Sequence, residues 1–256
     1  MNPLSSKINR LTLVLASLAV IPAVSQAVTL DIRGGYKAGS HSYESRFKVS
    51  ESWDNGWWAS IETDNKNNKN NNRGKDGADK SDAAHSFGDT TVDYNELETN
   101  YIWKFAKDWN LQPGGIYHWS SKGSQLRPYV RLNYKITPDL TSGIRYRYDY
   151  NNYTTINSEG AEHRDSVNRL DLFLSYKLTP VWTVSWQGTA YRHTNSDYRY
   201  KNDKASAIEN AFILRYKWNK YFSPYVEYDY LDKQGSHEGE TKLHESRYRI
   251  GATFYL

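Results

Sequence analysis

The chain has no cysteine, which excludes a disulfide framework and any thiolate metal site. After residue 27 it has no apolar run near the roughly 20 residues that a membrane helix needs. It also has almost no net charge. Lys7 and Arg10 are two of its 33 basic residues and no acid precedes residue 28, so the remainder carries 31 basic against 29 acidic side chains. Bulk charge therefore excludes a nucleic-acid partner. No Cys, His, Asp or Glu cluster has a metal-ligand spacing, and no cofactor is expected.

What is abundant is aromatic: 22 Tyr and 9 Trp in 256 residues. A polar average with this many aromatics fits a barrel with a wet interior and aromatic girdles. The length suits one domain.

Residues 1–27 read as a secretory signal peptide. Lys7 and Arg10 form the positive end, Leu11 to Val20 the apolar core, and Ser25-Gln26-Ala27 the small-residue cleavage site. The alternative is an N-terminal membrane anchor, which this apolar stretch is short for. Cleavage is expected after Ala27, leaving 28–256 as the barrel.

From Val28 onward the dominant signal is period two, the signature of strands. Ile144, Tyr146, Tyr148 and Tyr150 alternate with Arg145, Arg147 and Asp149. Leu170, Leu172 and Leu174 alternate with Arg169, Asp171 and Phe173, and the C-terminal stretch from Arg247 to Leu256 does the same. A soluble sandwich alternates too. Strand length near ten residues, alternately short and long connections, and Tyr or Trp at the ends of apolar faces favour a membrane barrel.

The fold class expected is all-β, a twelve-stranded antiparallel transmembrane barrel of outer-membrane porin type. Its strands are expected at 28–39, 42–52, 56–64, 90–105, 108–119, 127–136, 140–152, 165–178, 181–194, 205–218, 222–233 and 246–256. Tight turns such as Thr137-Pro138-Asp139 and Thr179-Pro180 lie on one side. Long loops near 65–89, 153–164, 195–204 and 233–245 lie on the other, which puts both termini in the periplasm. Residues 65–82 form an Asn/Lys/Asp/Gly-rich insert that cannot bury apolar surface. It is expected as an exposed loop, with a lid over the pore mouth as the alternative.

With apolar positions facing lipid, the lumen receives Arg33, Lys37, Arg46, Lys48, Arg131, Lys135, Arg145, Arg147, Arg169, Lys177, Arg215, Arg247 and Arg249. It also receives Asp31, Glu44, Glu62, Asp149, Asp171, Glu227 and Asp229. Ionised groups facing lipid are costly, and this fixes the parity. Guanidinium is a permanent charge with a planar fork that fits a carboxylate. Rows of such forks let an anion step along a pore without a deep trap. The bland alternative is that these arginines pair with acids on neighbouring strands and stiffen the wall. An excess-basic track is expected because the first, seventh and last strands carry paired bases with few facing acids. Enzyme readings are weak, since all seven His fall in or beside the expected outer loops and none sits mid-strand with an inward Ser and Asp.

Several segments carry a resemblance: Thr29–Tyr36, Asn55–Ser60, Gly143–Asp149, Asp197–Tyr200, Glu209–Phe212, Tyr225–Asp232 and Arg247–Gly251. Together they resemble the oligogalacturonate-specific porin family, and within it the members that pass N-acetylneuraminic acid. The resemblance implies a monomeric twelve-stranded barrel in outer-membrane lipid, with basic tracks facing each other across a narrow pore. It implies passive diffusion of acidic mono- or oligosaccharides. It also implies pore roles for Arg33, Arg46, Arg131, Arg145, Arg147, Arg169, Arg215, Arg247 and Arg249. The insert at 65–82 and the final Leu256, where an aromatic is usual, depart from the pattern. The other readings are an outer-membrane barrel enzyme or a surface-binding barrel.

Overall fold

A computed structural model describes residues 27–67, 90–156, 160, 162–232 and 245–256. The expected signal segment up to Gln26 and positions 68–82 of the insert lie outside the described residues. The insert does not begin at 65 as expected. Strand β3 runs through Asn67, with Lys66 paired to Asp93 on the neighbouring strand.

The strands are β1 Ala27–Lys37, β2 Ser42–Ser52, β3 Trp57–Asn67, β4 Thr90–Tyr101, β5 Trp103–Ala106, β6 Trp109–Ser120, β7 Gly123–Lys135 and β8 Leu140–Asn151. They continue with β9 Thr155–Ile156, β10 Glu162–His163, β11 Ser166–Lys177, β12 Trp182–His193, β13 Ser206–Tyr216, β14 Phe222–Leu231 and β15 Glu245–Tyr255. β4 and β5 are one span interrupted at Ile102, whose N–H donates to the Gly56 carbonyl at 2.7 Å. β9 and β10 form a separate two-stranded hairpin. That leaves twelve spans.

All twelve pair antiparallel with their sequence neighbours, β1 pairs with β15, and β4 pairs with β6. The sheet therefore closes on itself. Closure satisfies every strand edge internally, as a structure in hydrocarbon requires.

Two expectations are corrected in detail. β7 begins at Gly123 rather than 127, because Ser120 and Gly123 are already register partners across a tight turn. Gly123 has φ 133°, a conformation that side chains rarely adopt. The region 153–164 is not wholly loop, since it holds the β9–β10 hairpin. Buried Tyr198 pins that hairpin by donating to the Thr155 and His163 carbonyls at 3.0 and 2.6 Å.

The short turns close the opposite end by a repeated device. The Thr137 hydroxyl accepts from Leu140 N–H at 3.0 Å, and the Thr179 hydroxyl from Trp182 N–H at 3.0 Å. The Pro that follows each Thr presets the backbone for the turn.

The outer surface is apolar at mid-height: Ile144, Leu172, Val226 and Ile250 are all exposed. Aromatic pairs mark its two margins. Trp57–Tyr101, Trp109–Tyr134 and Trp182–Tyr216 lie at the short-turn end, with ring centroids 5.5, 4.2 and 4.7 Å apart. Tyr36–Tyr43 and Tyr228–Tyr248 lie at the other end. An apolar band between aromatic girdles is the lipid-facing surface of a membrane barrel.

Candidate functional site: the charged lumen

Period two turns every second side chain inward, and in this chain those positions are charged. Two basic walls result. The first spans β15, β1 and β2 with Arg247, Arg249, Arg33, Lys37, Arg46 and Lys48. The second spans β7, β8 and β11 with Arg127, Arg131, Arg145, Arg147 and Arg169. In the ring of twelve spans β1 and β8 are six places apart, so the walls face each other.

Within each wall the register sets like charges side by side. Arg33 lies opposite Arg46, Arg131 opposite Arg145, and Arg147 opposite Arg169. Like charges directly opposed are destabilising, and carboxylates interleave to offset them. Arg249 donates to Glu44 at 2.8 Å and to Glu227 at 2.7 Å. Arg247 donates to Asp229 at 2.8 Å, and Arg46 to Asp31 at 2.6 Å. On the second wall Arg145 and Arg169 share Asp171, at 2.9 and 2.8 Å. Arg147 forks Asp149 with bonds of 2.6 and 2.8 Å.

This corrects the expectation of paired bases with few facing acids. On the first, seventh and last spans, Arg33, Lys37, Arg145, Arg147, Arg247 and Arg249 each contact a carboxylate. Asp149 lies on the same strand as Arg147, but the other acids come from other strands, Glu227 and Glu44 reaching Arg33 and Arg249 from far away in sequence, so counting along one strand missed them. Wall-stiffening is thus a large share of what the arginines do.

The nine arginines singled out from the sequence all point inward but do not share one chamber. Arg33, Arg46, Arg145, Arg147, Arg169, Arg247 and Arg249 line a lumenal cavity of about 440 Å³. Arg131 lines a separate cavity of about 300 Å³, and Arg215 one of about 840 Å³, both reaching the short-turn end. Several guanidinium groups are braced over aromatic rings. Arg131 stands 3.9 Å from the Phe173 centroid, Arg215 4.4 Å from Tyr225, and Arg169 5.0 Å from Tyr191. Such stacking holds a cation in place without neutralising it.

Sequence reasoning missed Arg127, Glu96, Glu98 and His118. Arg127 pairs with Glu96, and His118 Nδ1 lies 3.0 Å from the same carboxylate. Extending the inward period from Arg131 through Tyr129 would have reached Arg127. On β4 the signal is blurred, because outward positions include Asn95 and Thr99. Among the described residues no group of three or more His, Asp or Glu could hold a metal ion.

A closed antiparallel barrel of twelve spans with an apolar exterior and a charged lumen is a porin-type membrane channel. The chain belongs to the oligogalacturonate-specific porin family, whose family model matches residues 21–256, and it is an outer-membrane protein. It is 45% identical over 235 residues to the N-acetylneuraminic acid outer membrane channel protein NanC of Escherichia coli (strain K12), covering 92% of this chain and 93% of the relative. It is 26% identical over 250 residues to the oligogalacturonate-specific porin KdgM of Dickeya dadantii (strain 3937), covering 97% and 99%. A NanC porin crystal structure superposes with a TM-score of 0.75 at 42% identity, covering 89% of this chain and 100% of that one. These relatives are channels or porins.

Proposed function

We propose that this protein is a channel for passive diffusion of acidic sugars through an arginine-lined pore. The observation that carries the reading is the pair of guanidinium walls facing each other across the lumen. Permanent cations at close spacing lower the cost of passing a carboxylate while offering it many equivalent partners, so it enters and also leaves. The relatives support the solute class: one is named for N-acetylneuraminic acid, the other for oligogalacturonate, and both are sugar acids. Arg33, Arg46, Arg131, Arg145, Arg147, Arg169, Arg215, Arg247 and Arg249 are the substrate path in this reading. The barrel works as a monomer in outer-membrane lipid, with short turns and both termini periplasmic. The mature chain starts at Val28, after removal of residues 1–27. No chemical step is assigned to the protein.

The test is the reversal potential of the purified protein in planar bilayers across a salt gradient, with uptake by cells lacking general porins. Anion preference and faster uptake of N-acetylneuraminate than of a neutral sugar of similar size are expected. Cation preference would mean that the lumenal carboxylates dominate and would overturn the proposal.

A further inference from the structure

The two walls are not equivalent in charge. On the first, the six bases Arg33, Lys37, Arg46, Lys48, Arg247 and Arg249 meet the six carboxylates Asp31, Glu44, Glu62, Glu98, Glu227 and Asp229. On the second, the five arginines share, among the described residues, only Glu96, Asp149 and Asp171. The deficit of two appears as one carboxylate, Asp171, shared by Arg145 and Arg169, and as one arginine, Arg131, left without an ion pair among the described residues. Arg131 faces Arg145 directly across the β7–β8 register and makes no ion pair among the described residues. Its Nε donates to Asn133 Oδ1 at 2.7 Å. Arg145 turns instead to Asp171, which Arg169 already uses.

Arg131 is held as a binding group would be. The Phe173 ring lies 3.9 Å from its guanidinium and 5.4 Å from that of Arg145, so one aromatic face braces two cations. The Nε bond to Asn133 fixes the plane of the fork and leaves its Nη edge for another acceptor. Beside it is the cavity of about 300 Å³, lined also by Asn110, Lys107 and Lys135. Asp108 is the one acid in that lining among the described residues. Small-molecule pockets start at roughly this size, about 300 Å³.

We propose that this cavity is an anion subsite of the pore, in which Arg131 takes the carboxylate of a sugar acid. Lys135 adds a second cation, Asn110 and Asn133 meet hydroxyls, and Phe173 supplies the apolar floor. The inference rests on the acidic-sugar reading and sharpens it. The strongest anion contact of the path then lies on one wall at the short-turn half, while the opposite wall, balanced by its own carboxylates, holds an anion less tightly.

The experiment is block of single-channel current by N-acetylneuraminate, with galactose as the neutral control, in wild type and three variants. Arg131→Gln is expected to raise the half-blocking concentration about tenfold, equivalent to about 1.4 kcal/mol, and to reduce anion preference. Arg131→Lys is expected to keep anion preference but weaken block, because a point charge replaces the fork; it also serves if the Gln variant fails to fold. The neutral double change Lys66→Gln with Asp93→Asn removes an exposed ion pair at the long-loop end, outside the substrate path, and block within twofold of wild type is expected. Unchanged block in both Arg131 variants would overturn the subsite. So would a double variant that loses as much as Arg131→Gln. Wild-type current indifferent to N-acetylneuraminate would instead overturn the underlying function.

Discussion

Arg145 on β8 and Asp171 on β11 are direct partners in the sheet register, and the arginine Nε donates to Asp171 Oδ2 at 2.9 Å. Asp171 is wholly buried and also accepts from Arg169, Thr189 and Gln187. One carboxylate therefore holds together a stretch of wall that is otherwise all cation. Asp171→Asn keeps the shape but strands two guanidinium groups. Breaking a buried pair in this way costs about 3–5 kcal/mol. Lower resistance to urea, read as earlier loss of the compact band on unheated gels, is expected together with stronger anion preference. Unchanged selectivity would show that Asp171 is not part of the field an ion meets.

Leu172 and Phe173 are neighbours in sequence but lie on opposite faces of the barrel. Leu172 is exposed at mid-height on the outside, whereas Phe173 lines an inner cavity. Arg at Leu172 would sit in lipid and cost about 2–4 kcal/mol at the bilayer midplane. Arg at Phe173 would join a wet, charged lumen. Leu172→Arg should fold poorly into detergent micelles or vesicles, and Phe173→Arg should fold better, losing only what repulsion from Arg131 and Arg145 costs in a solvated lumen. Equal behaviour of the two variants would refute the assigned parity.

Gly114 and Gly115 form a second such contrast. A Cβ on Gly114 would lie 2.7 Å from the Thr99 carbonyl oxygen and 2.6 Å from the Tyr129 ring, whereas one on Gly115 meets nothing within 4 Å. The Thr99 oxygen belongs to the backbone of the paired strand and cannot swing aside. Gly114→Val should cost about 1–3 kcal/mol by overpacking. Gly115→Ala should be nearly neutral, as judged by the same gel assay of urea unfolding.

The Tyr198 hydroxyl ties its own loop to the β9–β10 hairpin, while its buried ring lies near His193 on β12. Removing that hydroxyl in Tyr198→Phe abolishes both bonds to the β9–β10 hairpin, each worth about 0.5–1.5 kcal/mol net. The ring stays, so barrel stability should be unchanged. Faster hydrogen exchange or proteolysis confined to residues 152–165 is the expected result. Exchange unchanged there would mean that the hairpin is held by its own pairing.

All twelve spans were legible in the sequence, and so was the parity that places Arg145 and Arg147 inside and Tyr146 outside. Boundaries slipped where a turn carried no Pro or Asp signal, as at 121–122 before β7. The site was legible only as an inventory. Arg127 and Glu96 were overlooked because one sits at the edge of an expected strand and the other in a strand with polar residues on both faces.

Alternation alone determined which residues face water and which face lipid, because a one-residue slip would put every charge of a strand on the wrong side. It could not determine which charge meets which. Glu44 reaches Arg249 across 205 positions of sequence, and Asp31 accepts from Thr253 across 222. Those meetings depend on the register between strands that closure alone brings together. The register of the β7–β8 pair likewise leaves Arg131 facing Arg145 without an ion pair among the described residues, a meeting that no single strand encodes.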